Sequence, residues 1–255
     1  MAEPQKRIKT LDYPVRLHVY LARCGVASRR GAEKLIAQGR VMLNGSVVLT
    51  QGNLVDEDDV VLFDGRRVYP TRRMVYLALH KPPRVLSTSS DPEGRPTALD
   101  LLKNEFPMRM FTVGRLDFLS SGLILVTNDG DFAQAAMHPS SEIEKEYIVE
   151  TKREISPELL DQFKRGVTVD GETYAIDGYT VKNRFRVNLV LHEGKNREIR
   201  RVFQFWKIAV KRIHRVRIGS VRIKGIGSGE YRHLTDEEIA WFLSRAGGGQ
   251  RGRGN

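Results

Sequence analysis

Residues 66–74, RRVYPTRRM, constrain this chain more than any other stretch: they carry four arginines and a proline. Like charges repel along the chain, and proline has no N–H to give to a ladder or helix, so a basic linker is expected over 65–74. It divides the 255 residues into a short N-terminal part and a longer C-terminal part, each needing its own core. Apolar residues make up 40%, which suffices for both and excludes global disorder. No apolar run reaches the roughly 18 residues of a membrane span. Met1 to Thr10 is charged and lacks the apolar run of a signal peptide. A soluble cytoplasmic protein is expected, with a disordered Arg-Gly tail over 246–255.

The short part reads as two helices and a small sheet. Leu17, Leu21 and Cys24 recur at helical spacing, and Gly25 ends that run. Ser28 is the expected N-cap of a second helix with Ala32, Leu35 and Ile36 inward; Gly39 stops it. Arg40 opens a strand to Leu43, Asn44-Gly45 is a hairpin turn, and Val47 to Leu49 return. A strand from Val60 to Phe63 ends at Asp64-Gly65. Arg16, Arg29, Arg30, Lys34 and Arg40 fall away from the apolar positions. Such a cationic face suits a phosphate backbone.

The longer part, 75–245, alternates strands and helices without a regular βαβ repeat. Expected strands are 76–79, 123–127, 147–150, 185–191 and 210–218; expected helices are 131–137, 157–164, 196–206 and 236–243. Consecutive β segments between 166 and 191 favour antiparallel pairing. The fold class is therefore α+β, a small α/β module followed by a mixed, largely antiparallel sheet domain.

Charge narrows the function. There are 42 Lys and Arg against 31 Asp and Glu, a net charge of +11, which favours a polyanionic partner, most simply nucleic acid. With Cys24 alone there is no intrachain disulfide and no thiolate metal cage; Cys24 is expected to pack in the core. None of the six histidines forms a close ligand pair in sequence, and no metal site is expected. Asp129 and Asp131 near Asp117 raise a divalent-metal nuclease as a rival, but Asn128-Asp129-Gly130 is simpler as a turn.

The chemistry concentrates at Gly114-Arg115-Leu116-Asp117 and the following FLSSGLILVTNDG. A Gly-led loop presents an acid, and a buried strand then runs into a tight turn. A carboxylate at the mouth of such a strand can be held rigidly. This stretch resembles the active-site motif of bacterial ribosomal RNA pseudouridine synthases of the RsuA/RluB type. HKPPRVLSTSSDPEGRPTALDLL (80–102), EKEYIV (144–149) and EGKNREIRRVF (193–203) resemble that family's opening segment, tyrosine motif and basic helix. RLHVYLARCGVASRRGAEKLIAQGRVMLNG resembles the small RNA-binding domain shared with a ribosomal small-subunit protein, over 15–64.

The resemblance implies that Asp117 is the catalytic acid, Arg200 its partner and Tyr147 the ring that packs on the target base. It implies that Ser28, Arg29, Arg30, Lys34, Arg40 and Asn44 lie near RNA. Lys81, Arg115, Arg197 and Arg201 are further RNA-binding candidates. Arg84 stands where the family usually has Gly, and Ser120 where Thr is usual. Uridine isomerisation breaks the bond from ribose to the base nitrogen and rejoins the base through carbon. Nothing is oxidised or hydrolysed overall, so no cofactor is required. The carboxylate serves as nucleophile toward the ribose or as base during sugar deprotonation. The expected partner is ribosomal RNA, with large-subunit RNA preferred, or an assembling subunit; the enzyme is expected to be a monomer. The alternative is a non-catalytic RNA-binding ribosome-assembly factor.

Overall fold

The computed structural model describes residues 7–8, 10–192 and 194–245. The expected tail over 246–255 lies outside these. The chain divides into two compact units between Val75 and Tyr76.

In the first unit, strands β1 (Arg7–Ile8) and β2 (Val15–Arg16) precede helices α1 (Leu17–Arg23) and α2 (Arg29–Ala37). Ser28 caps α2, its hydroxyl accepting from the Gly31 N–H at 3.0 Å. Strands β3 (Val41–Leu43), β4 (Ser46–Val47), β5 (Leu54–Val55), β6 (Val61–Phe63), β7 (Arg66–Arg67) and β8 (Arg73–Met74) follow. Four of them form a sheet in the order β4-β3-β6-β7. Both hairpin turns have positive φ at both central residues, Asn44-Gly45 and Asp64-Gly65, as two-residue turns matched to strand twist require. Leu17, Leu21, Ala32, Ile36, Val41 and Val61 bury the core between helices and sheet. Cys24 packs against it, and burial pushes its thiol up to about 12.

The expected linker over 65–74 is corrected. Arg66 and Arg67 pair antiparallel with Phe63 and Leu62, and Arg73–Met74 pair with β1. Tyr20 donates its hydroxyl to the Val68 carbonyl, and the Thr71 N–H donates to the Arg23 carbonyl. The Asp64-Gly65 turn sends the chain back as an edge strand, where arginines stay in water and their repulsion is screened.

The second unit holds β9 (Tyr76–Lys81), β10 (Phe111–Val113), β11 (Ser121–Thr127), α3 (Gly130–Met137), β12 (Lys145–Thr151) and α4 (Pro157–Arg165). After these come β13 (Val167–Val169), β14 (Glu172–Tyr174), β15 (Gly178–Asn183), β16 (Arg186–Leu191) and α5 (Glu198–Phe205). The last elements are β17 (Val210–Ile218), β18 (Val221–Arg222), β19 (Tyr231–His233) and α6 (Asp236–Leu243). One nine-stranded sheet runs β15-β16-β12-β17-β11-β9-β19, with β10 on β11 and β18 on β17. Every pairing in it is antiparallel except β11 with β17, so the sheet is mixed as expected. All seven residues of β11 are buried, which explains its unbroken apolar run. Asp129 caps α3 and accepts the Tyr76 hydroxyl at 2.9 Å; its carboxylate is structural, which removes the motive for the nuclease reading.

The parallel junction sits at the foot of the Asp117 loop. Gly122 lies opposite Arg215, with φ +112°. A Cβ there would overlap the Arg215 backbone, coming within 2.5 Å of its nitrogen. Only glycine permits this approach. Gly122→Ala is expected to destabilise the protein by about 3 kcal/mol, from backbone strain and overpacking together. The urea midpoint of the variant measures this, and an unchanged midpoint would contradict it.

Candidate active site

The Asp117 loop is held from both sides by the segment after β9. Beyond β10, Gly114 turns the chain at φ +75°, and Leu116 enters the core. The buried Ser87 hydroxyl donates to the Leu116 carbonyl at 3.0 Å and accepts the Leu116 N–H at 3.1 Å. One residue past the acid, the Phe118 carbonyl accepts the Arg84 N–H at 2.6 Å. A turn from the Asp117 carbonyl to the Ser120 N–H, 3.0 Å, then feeds β11. Arg84 adopts φ +62°, which gives a physical reason for the usual glycine at that position.

Helix α5 supplies the partner of the acid. Ile199, Val202 and Phe203 face the core, which leaves Arg200 on another side. Its Nε stands 3.5 Å from Asp117 Oδ2, and its Nη2 donates to the Ser120 hydroxyl at 3.3 Å. Ser120 thus uses the hydroxyl it shares with the family's usual Thr. Burial lowers the Arg200 guanidinium from its ordinary value, and Asp117 pulls it back up. Arginine stays protonated under such shifts, so Asp117 and Ser120 face a cation.

These groups open on a cleft of about 330 Å³ whose lining includes Asp117, Ser120, Tyr147, Arg200 and Arg215. Tyr147 lies on β12, with its ring at the edge of the core. Arg215 of β17 is 4% exposed. Its Nε donates to the Leu123 carbonyl at 2.7 Å and its Nη1 to the Tyr147 hydroxyl at 3.4 Å. Arg115 and Arg197 are exposed and line the same cleft.

Several sequence-based candidates fall elsewhere. Lys81 is fully buried, its Nζ donating to the Pro82 and Val85 carbonyls at 2.8 Å each; it braces the loop after β9 and offers nothing to a phosphate. Arg201 donates to the Tyr174 hydroxyl at 3.2 Å and is outside the cleft lining. In the first unit, Arg16, Ser28, Arg29, Arg30 and Lys34 are exposed. Arg40 is exposed as well, paired through two nitrogens with Asp64 and lying 4.9 Å from the Phe63 ring centroid. Asn44 bonds Asp59 and the Val60 N–H, at 2.7 and 2.9 Å. These two residues tie the hairpins together while remaining exposed. Sequence reasoning missed Ser87 and Arg215 as site residues. Ser87 lies in a quoted motif, but Arg215 is one arginine among several in VKRIHRVRI. His80 and His214 were also unforeseen as neighbours, with rings 5.1 Å apart. His214 shares a hydrogen bond with Ser121, and burial lowers it to about 4, so it is neutral.

The mixed sheet carries a carboxylate–arginine pair beside a cleft tyrosine, and similarity to known proteins identifies the class of enzyme as RNA-modifying. The RNA pseudouridylate synthase family model matches residues 75–205, and the S4 domain model matches residues 15–61. An uncharacterised RNA pseudouridine synthase of Borreliella burgdorferi is 40% identical, over 90% of this chain and 94% of its own. Ribosomal large subunit pseudouridine synthase B of Bacillus subtilis is 37% identical, over 88% and 93%. A crystal structure of a pseudouridylate synthase superposes with a TM-score of 0.66 at 26% identity, covering 89% of this chain and 99% of that one. The chain belongs to the RNA pseudouridine synthase family, with an S4 domain preceding the synthase domain.

Lys81 makes stability depend on pH. Burial, and then Arg215, lowers its ammonium from 10.5 to about 8, against a smaller pull from Asp117. The folded chain therefore binds this proton less tightly than the unfolded chain. Between about pH 8 and 10.5 the unfolded state carries more protons, so stability rises with pH there. Lys81→Met removes the titration. Wild-type stability relative to the Met variant is expected to increase across this window, by up to roughly 1.4 kcal/mol per pH unit. Urea unfolding at stepped pH reads the difference, and a flat difference would refute it.

Proposed function

We propose that this protein isomerises uridine to pseudouridine in ribosomal RNA, with Asp117 as the reacting carboxylate. The observation that carries the reading is the Asp117–Arg200 pair at 3.5 Å in a cleft that also holds Tyr147 and Arg215. The guanidinium beside it offers a counter-charge to the carboxylate that attack on the ribose or removal of a proton requires. Tyr147 stacks on the target base, which has left its helix at a cost of a few kcal/mol; ring stacking returns about 1–3 kcal/mol. Arg115 and Arg197 at the rim hold phosphates. Similarity to the Bacillus subtilis large-subunit enzyme favours large-subunit RNA, free or in an assembling particle, as the substrate in the cytoplasm. A purely RNA-binding assembly factor has no use for so closely held an acid.

Asp117→Asn keeps the shape of the side chain and removes its charge. It is expected to abolish single-turnover conversion of ribosomal RNA while RNA affinity stays within a few-fold, a loss confined to the chemical step. Pseudouridine content at saturating enzyme decides this; near-wild-type conversion by the Asn variant takes Asp117 out of the mechanism. Mapping pseudouridines in ribosomal RNA from cells lacking the gene identifies the target.

The exposed arginines of α2 supply affinity. Arg29→Ala with Arg30→Ala is expected to weaken RNA binding and flatten the slope of log K against log salt, by roughly 0.7–0.9 for each phosphate no longer neutralised. Filter binding between low and moderate salt measures the slope. An unchanged slope and affinity would move the RNA face elsewhere on the protein.

A further inference from the structure

Arg215 has one nitrogen whose donors the fold leaves unused. Its Nε and Nη1 are committed to the Leu123 carbonyl and the Tyr147 hydroxyl. Its Nη2 is buried without a hydrogen-bond partner, although the side chain sits on the wall of the Asp117 cleft. An unsatisfied donor on a buried cation costs free energy and calls for an explanation. Nothing in the packing of the sheet supplies one: the two bonds already made would hold the side chain in place. A ligand atom in the cleft does supply one.

We infer that Arg215 is a uracil-recognising residue, donating from Nη2 to a carbonyl oxygen of the base bound in this cleft. The inference rests on the synthase reading and extends it to a residue outside the four recognised motifs. The kind of acceptor follows from the surroundings. The guanidinium carbon lies 5.9 Å from the Tyr147 ring centroid, so a flat base against that ring brings its edge oxygens to the guanidinium. A phosphodiester is bulky and stays with the exposed Arg115 and Arg197 at the rim. Asp117 is already engaged by Arg200, so it does not use up the charge of Arg215.

The chemistry strengthens this bond during the reaction. When the bond from C1′ to N1 breaks, its electron pair stays with the ring and spreads onto O2 and O4. An arginine donor at one of these oxygens stabilises that charge as it develops. When C1′ bonds to C5, the ring pair forms the new bond, C5 loses its proton and N1 gains one, so the charge disappears. Arg215 therefore favours the departing base over the bound nucleotide, and its loss appears in kcat more than in KM.

The test uses the full chain and ribosomal RNA carrying uridine, 2-thiouridine or 4-thiouridine at the target position, with wild-type conversion of the uridine RNA established beforehand. That control separates failure of this assignment from failure of the synthase reading. Sulfur is the weaker acceptor, so wild type is expected to slow markedly at one of the two thio substrates. Arg215→Met is expected to lower single-turnover conversion of uridine RNA about 10²–10³-fold with RNA affinity within a few-fold, and to lose the thio effect. Arg215→Lys, which keeps a donor, is expected to recover part of both. A merely structural arginine would leave the thio effect in place. Wild-type-like turnover by a folded Arg215→Met, or equal thio effects in variant and wild type, overturns the assignment. Should neither variant fold, equal wild-type rates on all three RNAs overturn it, and selective slowing at one thio position upholds it.

Discussion

The close approach of two backbones at Gly122 and Arg215 is the constraint on which the cleft depends. It is the point where β11 and β17 run parallel inside an otherwise antiparallel sheet. The missing side chain at Gly122 lets the strands meet where a Cβ would collide. Asp117 lies five residues before this junction along the chain, and Arg215 forms its other half. A shift of either strand would move the acid, the buried arginine and, through β12, Tyr147. Catalytic geometry tolerates little such movement, since misplacement by about 1 Å can cost 10²-fold in rate.

Around that junction the site is built from buried cations and few anions. Lys81, Arg200 and Arg215 are all largely removed from water. Each is held differently: Lys81 by two carbonyls, Arg200 by Asp117 and Ser120, Arg215 by a carbonyl and a tyrosine hydroxyl. Desolvation destabilises such groups, and the lowered Lys81 value records that effect. Their sign favours negative charge in the cleft, as the proposed reaction requires of its carboxylate and of its departing base.

In the first unit, charge divides into two tasks. Arg40 and Asn44 commit their polar groups to Asp64, Asp59 and the Val60 backbone, which fixes two tight turns. Arg29, Arg30 and Lys34 are exposed on α2 and are the groups that the proposed function assigns to RNA. The basic residues as a set cannot distinguish these uses, because the difference lies in which acids the fold brings alongside.

Local chemistry was legible in the sequence. Periodicity and capping gave α2 behind Ser28, Asn44-Gly45 gave its hairpin, and the strand Val210–Ile218 and helix Asp236–Leu243 match the expected bounds. The ordered motifs pointed to Asp117, Tyr147 and Arg200, which the fold brings to one cleft. Those features depend on neighbours in the chain or on a long shared pattern. What only the tertiary structure decided depends on groups far apart in sequence: Arg66–Arg67 closing onto β6, Lys81 sealed from solvent, Ser87 holding the backbone at Leu116, and Arg215 on the cleft wall. An arginine in a basic strand looks the same whether it faces water or a cleft, because burial is set by what packs on it, and that is written nowhere in its own segment.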